Sequence, residues 1–82
     1  MKRRPPEKIT TGVVRLLARE RKKQGINYED MAGLSGLHAT SLSLIERRKR
    51  QPTFVNLCRI AGPLGVRLSD LVREAEEGET GR

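Results

Sequence analysis

Residues 27–46, NYEDMAGLSGLHATSLSLIE, constrain the fold more than any other stretch of the chain. Asn27 is a strong helix N-cap, and Glu29 and Asp30 fall in the turn behind it, where the positive end of a helix dipole favours carboxylates. Met31, Ala32 and Leu34 supply the apolar positions of one short helix. Ser35–Gly36–Leu37 reads as a tight turn, with Gly36 free to take the positive φ that a sharp reversal needs. His38 or Ala39 opens a second short helix. Its Leu42 and Ile45, three residues apart, face inward and pin it to its neighbours. Ala32 must be small, because the two helices cross closely there.

The flanking segments read as three more helices. Thr10 or Thr11 caps the first, with Val13, Val14, Leu16, Leu17 and Ala18 as its apolar face and Gly25 as its stop. Thr53 caps another, in which Phe54, Leu57, Cys58, Ala61 and Leu64 recur at helical spacing and should face the core. Gly62–Pro63 breaks into that pattern and predicts a kink or an early stop, since proline in a helix interior costs about 3 kcal/mol. Gly65 ends the segment, and Val66 and Leu68 anchor the loop. Ser69 caps a fifth helix with Leu71, Val72 and Ala75 on its apolar side. No strand pattern, repeat or heptad is visible. The expected fold is all-α with five short helices. Residues 1–8 form a flexible basic arm with two readings, loose in solvent or tracking phosphates. Residues 9–75 form the folded domain, and residues 76–82 an acidic flexible tail.

Charge narrows the partner. The 82 residues carry 17 Lys and Arg against 10 Asp and Glu, a net charge of +7. The excess is concentrated in residues 1–50, whereas residues 68–82 are net acidic. A cationic body with an acidic tail suits a polyanion, either nucleic acid or an anionic membrane. The membrane fits poorly, because no helix pairs a large apolar face with a basic one and no run is long enough to cross a bilayer. No signal-peptide pattern follows the basic start, and the lone Cys58 has no disulfide partner, so a reducing cytoplasm is expected. The chain has one His and one Cys, in different elements. No nucleophile–base set, metal-ligand cluster or phosphate-cradling glycine loop accompanies them. The expectation is no enzyme, no cofactor and no metal.

Residues 27–46 have the spacing of a helix-turn-helix. The strings INYEDMAGLSGLHATSLSLIERRKRQPT and LCRIAGPLGVRLSDLV go further. They resemble the phage Cro/repressor-type (XRE) helix-turn-helix family over roughly residues 12–75. Arg21, Gly25, Ile26, Met31, Gly36, Leu42, Ile45, Glu46, Arg47, Pro52, Gly65 and Leu71 are among the matching positions. SGLHATSLSLIERRKRQPT is especially close to its bacterial members, which include the small controller proteins of restriction–modification systems. The resemblance implies a five-helix, lambda-repressor-like domain that binds double-stranded DNA as a homodimeric transcriptional regulator.

The resemblance also implies a division of roles. Helix 3, about residues 38–47, enters the major groove with Ala39, Thr40, Ser43 and Leu44 facing bases. Asn27, Tyr28, His38, Ser41, Arg47, Arg48, Lys49 and Arg50 face phosphates. Tyr28 has two readings, a phosphate contact through its hydroxyl or a half-buried lid on the core. Arg21 and Glu46 form a salt bridge from helix 1 to helix 3. Leu68, Leu71, Val72 and Ala75 form the dimer interface. Three features depart from the family pattern. Ala39 and Ser41 are small where relatives often carry long side chains. Arg48 stands where the family usually has glycine, so helix 3 is expected to end differently. Pro63 interrupts helix 4. The small reading face and the acidic tail motivate an alternative, an antitoxin or adaptor that uses this fold to hold a protein partner.

Overall fold

The computed structural model describes residues 4–78. They form five helices: α1 (Pro6–Lys23), α2 (Tyr28–Ser35), α3 (Ala39–Glu46), α4 (Phe54–Leu64) and α5 (Leu68–Glu76). There is no strand among the described residues. Met31, Leu42, Ile45 and Val13 are the largest fully buried side chains, and each comes from one of the first three helices. Val14 and Leu17 of α1, and Leu57, Ile60, Ala61 and Leu64 of α4, complete the aliphatic core. α2 packs against α3 and α4, α1 meets both α3 and α4, and α5 packs chiefly along α1.

Helix α1 begins earlier than Thr10 or Thr11. Pro5 holds an extended backbone (φ −57°, ψ 146°) and Pro6 is the first helical residue. Proline suits that position because its missing N–H would have no helical partner there. The Thr10 hydroxyl instead donates to the Pro6 carbonyl at 3.1 Å, a bond back along the helix rather than a cap. The expected arm therefore shortens. Arg4 donates from Nη1 to the Ala75 carbonyl at 3.0 Å, tying the front of α1 to the end of α5. Lys2 and Arg3 lie outside the described residues, as do residues 79–82 of the expected tail.

The expected caps of α2 and α4 are present. Asn27 Oδ1 accepts from the Asp30 amide at 2.8 Å, and Thr53 Oγ1 accepts from the Asn56 amide at 3.0 Å. Ser69 does not cap α5. Arg67 holds the extended N-cap backbone, and Ser69 lies within the first turn. Three apolar residues expected inside are outside. Phe54 is 69% exposed because it is the first residue of α4, beyond the edge of the core. Cys58 is exposed because the buried face of α4 runs through Leu57, Ile60, Ala61 and Leu64, so Ile60 takes the inward position. Leu34 is 55% exposed because Met31 and Ser35 form the inward edge of α2. The expected dimer face also changes. Ala75 is completely buried and belongs to the core, while Leu68, Leu71 and Val72 are half-buried against it.

Helices α1 and α4 terminate by one scheme. At the end of α1, Gly25 takes φ 73°, its amide donates to the Lys22 carbonyl, and the Ile26 amide donates to the Arg21 carbonyl. At the end of α4, Gly65 takes φ 74° with the corresponding bonds to Gly62 and Ala61. These are Schellman terminations, which satisfy carbonyls that the last turn leaves without partners. Pro63 does not stop α4, which runs one residue past it. The carbonyl that loses a partner is that of Arg59, on the exposed side of the helix. Gln24 Nε2 donates to the Leu64 carbonyl at 2.8 Å and closes the end of α4 from α1.

Helix α3 ends by the same scheme, contrary to expectation, with Arg48 in the place of glycine. Arg48 takes φ 60°, its amide donates to the Ile45 carbonyl at 3.0 Å, and the Lys49 amide donates to the Leu44 carbonyl at 2.8 Å. The left-handed backbone costs a non-glycine residue about 1–2 kcal/mol. Glycine loses more unfolded-state freedom, which returns about 0.5–1 kcal/mol of that difference. Arg48→Gly should therefore raise stability by up to about 1.5 kcal/mol in urea denaturation. A clear loss of stability would show that the Arg48 side chain outweighs its backbone strain.

Candidate nucleic-acid interface

The site is built on a charged cluster that fixes α3. Arg21, on the inner face of α1, donates from Nε to Glu46 Oε2 at 2.7 Å and from Nη2 to Glu46 Oε1 at 2.9 Å. Its remaining terminal nitrogen, Nη1, donates to the Ile26 carbonyl at 2.6 Å. The two side chains are only 9% and 14% exposed. This is the expected pair, in its buried, two-pronged form. Tyr28 joins it. Its hydroxyl donates to Glu46 Oε1 at 2.9 Å, and the Arg21 guanidinium lies 4.4 Å from the centre of its ring. Three helices thus meet at one carboxylate, which sits on the last residue of α3.

The electrostatics follow the geometry. The hydrogen bond to Glu46 raises the Arg21 pKa above its usual value, against the opposing effect of burial. Burial first, then the hydrogen bond to Glu46, pushes the Tyr28 phenol above its usual value, and the positive charge of Arg21 acts the other way. Tyr28 is half-buried, and its hydroxyl proton is engaged by Glu46.

The outer face of α3 carries the expected reading residues together. Ala39, Thr40, Ser43 and Leu44 line one open depression with Tyr28, Glu29 and Arg47. Thr40 is exposed, and Ala39, Ser43 and Leu44 are half-buried. The expected phosphate contacts lie around this face. Asn27 and Tyr28 begin α2, and His38 holds the N-cap position of α3 without a side-chain capping bond. Arg47, Arg48, Lys49 and Arg50 form the exposed turn at its far end. Arg50 Nη1 donates to Ser41 Oγ at 2.9 Å, folding the turn back on the helix. That bond uses one of five guanidinium N–H groups and leaves the charge at the surface. Among the described residues there is no group of three or more His, Cys, Asp or Glu placed to hold a metal, and no helix is long and apolar enough to cross a membrane.

Sequence reasoning found the Arg21–Glu46 pair but missed what Tyr28 and Ile26 add to it. The Tyr28 bond spans 18 residues and the Ile26 bond ends on a backbone carbonyl, so neither leaves a spacing signal.

Removing one partner of a buried ion pair leaves the other charge without compensation, a loss of about 3–5 kcal/mol. Glu46→Gln should destabilise the protein by the lower part of that range, since the amide oxygen still accepts one bond. Tyr28 is the only Tyr and there is no Trp, so phenolate absorbance reports it alone. Its titration midpoint in the folded protein should lie above the ordinary value of about 10 and fall in Glu46→Gln. The sign is set by the raised folded-state pKa. The stability contributed by Tyr28 is full below pH ~10 and is lost as pH rises through the folded-state value. A midpoint at or below the free-tyrosine value would contradict the observed bond.

Comparison with known proteins agrees with this arrangement. The family model described as Helix-turn-helix matches residues 17–71, which span the last turns of α1, all of α2, α3 and α4, and the first turn of α5. An uncharacterized HTH-type transcriptional regulator, y4dJ, of Sinorhizobium fredii (strain NBRC 101917 / NGR234) is 37% identical over 60 residues, covering 73% of this chain and 78% of the relative. With α2, the Gly36 turn and α3 held as one unit, the chain belongs to the helix-turn-helix family of Cro/repressor (XRE) type.

Proposed function

We propose that this chain is a DNA-binding transcriptional regulator that acts in the cytoplasm as a homodimer, with α3 in the major groove. The observation that carries the reading is the open depression on α3, which gathers Thr40, Ser43 and Leu44 beside a cationic turn. An α-helix about 10–12 Å across fits a major groove about 12 Å wide. Hydroxyls of Thr40 and Ser43 are able to contact either kind of base pair, and Leu44 a thymine methyl. No long side chain on this face makes a two-pronged base contact, so preference leans on DNA shape and on half-site spacing. Arg47, Arg48, Lys49 and Arg50 hold flanking phosphates, with Asn27, His38 and Ser41 contributing beside them.

The dimer reading rests on size. Eight residues of α3 are about 12 Å long and cover only a few base pairs. Two copies on half-sites one helical turn apart double the contact. Ala75 is buried and takes no part, which leaves the exposed edges of Leu68, Leu71 and Val72 for the partner copy. A second reading, an adaptor or antitoxin that holds a protein partner, draws support from Phe54 and Val55, which are 69% and 57% exposed on α4.

Two measurements test the primary reading. Arg47→Gln and Lys49→Gln should each weaken DNA binding on every sequence and reduce the slope of log affinity against log salt by about 0.9 per bound protomer. Unchanged slopes would remove the turn from the interface. Sedimentation with a two-fold symmetric duplex should show two protomers per duplex, and strictly one would contradict the dimer.

A further inference from the structure

We propose that the outer face of α4 holds the second copy of the chain, with two α4 helices packed antiparallel about a two-fold axis at Cys58; this rests on the homodimer reading above. Phe54, Cys58 and Gly62 recur every four residues, which places them on one stripe of the helix, and Val55 lies beside it. All four are exposed, whereas the buried face of α4 runs through Leu57, Ile60, Ala61 and Leu64. Phe54 and Val55, at 69% and 57%, are the most exposed large apolar side chains among the described residues. Phe54 alone presents on the order of 100–170 Å² of the 150–250 Å² that an aromatic side chain buries when enclosed. Leu68, Leu71 and Val72 of α5 are half-buried against the core and offer a partner much less.

The stripe is complementary to itself. A two-fold interface is isologous, so residue i meets residue j and j meets i. With the axis at Cys58, Phe54 faces the partner's Gly62 at both ends of a contact about 12 Å long. The largest side chain of the stripe thus meets the smallest, the alternation by which facing layers interdigitate. Room is open at that end, since a Cβ on Gly62 would meet no atom of a neighbouring element within 4 Å. Charge also favours a second copy here. Each copy carries +7, so two copies repel over much of their surface. A third of the chain is charged, yet α4 has only Arg59. The Arg59 guanidinium leans aside to the Gly36 turn, with Nη1 3.7 Å from where a Gly36 Cβ would stand. The patch is smaller than the ~800 Å² per partner of a stable interface. The free chain should therefore associate weakly and pair fully on a duplex whose two half-sites already hold both copies.

The test uses the full chain, a short bismaleimide, and duplexes carrying one half-site or two in two-fold symmetry. Cys58 is the only cysteine, so a covalent dimer joins Cys58 to the partner's Cys58 and nothing else. Wild-type protein should cross-link, and the two-fold duplex should raise the yield. Phe54→Gln/Val55→Gln, both at exposed positions, should melt as the wild type does and bind the single half-site unchanged. On the two-fold duplex it should lose affinity by on the order of tenfold or more, as when a central aromatic anchor is truncated. Its cross-link should disappear while Cys58 still reacts with a monofunctional maleimide. Two protomers on the two-fold duplex with no cross-link, or undiminished affinity in the variant, would overturn the proposal and leave the homodimer to another surface. Cross-links only to a different protein, from a purified chain that does not self-associate, would assign the face to that protein and overturn it as well. Strictly one protomer on the two-fold duplex would overturn the homodimer reading, and the proposal with it.

Discussion

The bond from Arg21 to Glu46 is the constraint on which the rest depends. α3 is only eight residues long and contributes just Leu42 and Ile45 to the buried core. Two apolar side chains three residues apart hold a helix against a core but leave it free to pivot about their line. The two-pronged contact at Glu46 fixes the far end of α3 to α1, and the Tyr28 hydroxyl fixes the same carboxylate to α2. A buried ion pair is weak evidence for net stability, because desolvation offsets most of the attraction. Its contribution here is geometric. The apolar core positions the helix, and the charged cluster sets its angle.

That division organises the surface. Because Arg21 is turned inward, the other cations of α1 lie outside, and those of the 47–50 turn extend beyond the end of α3. The backbone at Arg48 is left-handed because α3 terminates there. A glycine there would relieve the left-handed conformation but would remove one cation from the exposed 47–50 turn.

Much of this was legible in the sequence, and the reasons differ by residue. Asn27, Gly36 and Thr53 act locally, through caps and a positive φ, so their neighbours in the chain suffice to read them. Leu42 and Ile45 follow from helical spacing. Arg21–Glu46 followed from resemblance to a family, not from spacing. The failures also have physical causes. Phe54 and Cys58 fit an apolar helical pattern, but the pattern does not say how far the core extends beyond Leu57 or which of two neighbouring stripes it covers. Ala75 reads equally well as core or as interface, because a small apolar residue suits both. Thr10 and Thr11 read as caps only if Pro5–Pro6 is a loop, whereas proline is favoured at the first helical position. The Tyr28 bond depends on the tertiary angle between α2 and α3, which no local pattern encodes.

The most direct test of the central claim is selection of bound sequences from a random pool of duplex DNA by the full chain. If α3 is presented to the major groove as a fixed reading element, the selected sequences should converge on two short, symmetric half-sites whose centres lie about one helical turn apart. A flat enrichment profile with steep salt dependence would contradict it. The surface would then bind phosphates without reading bases.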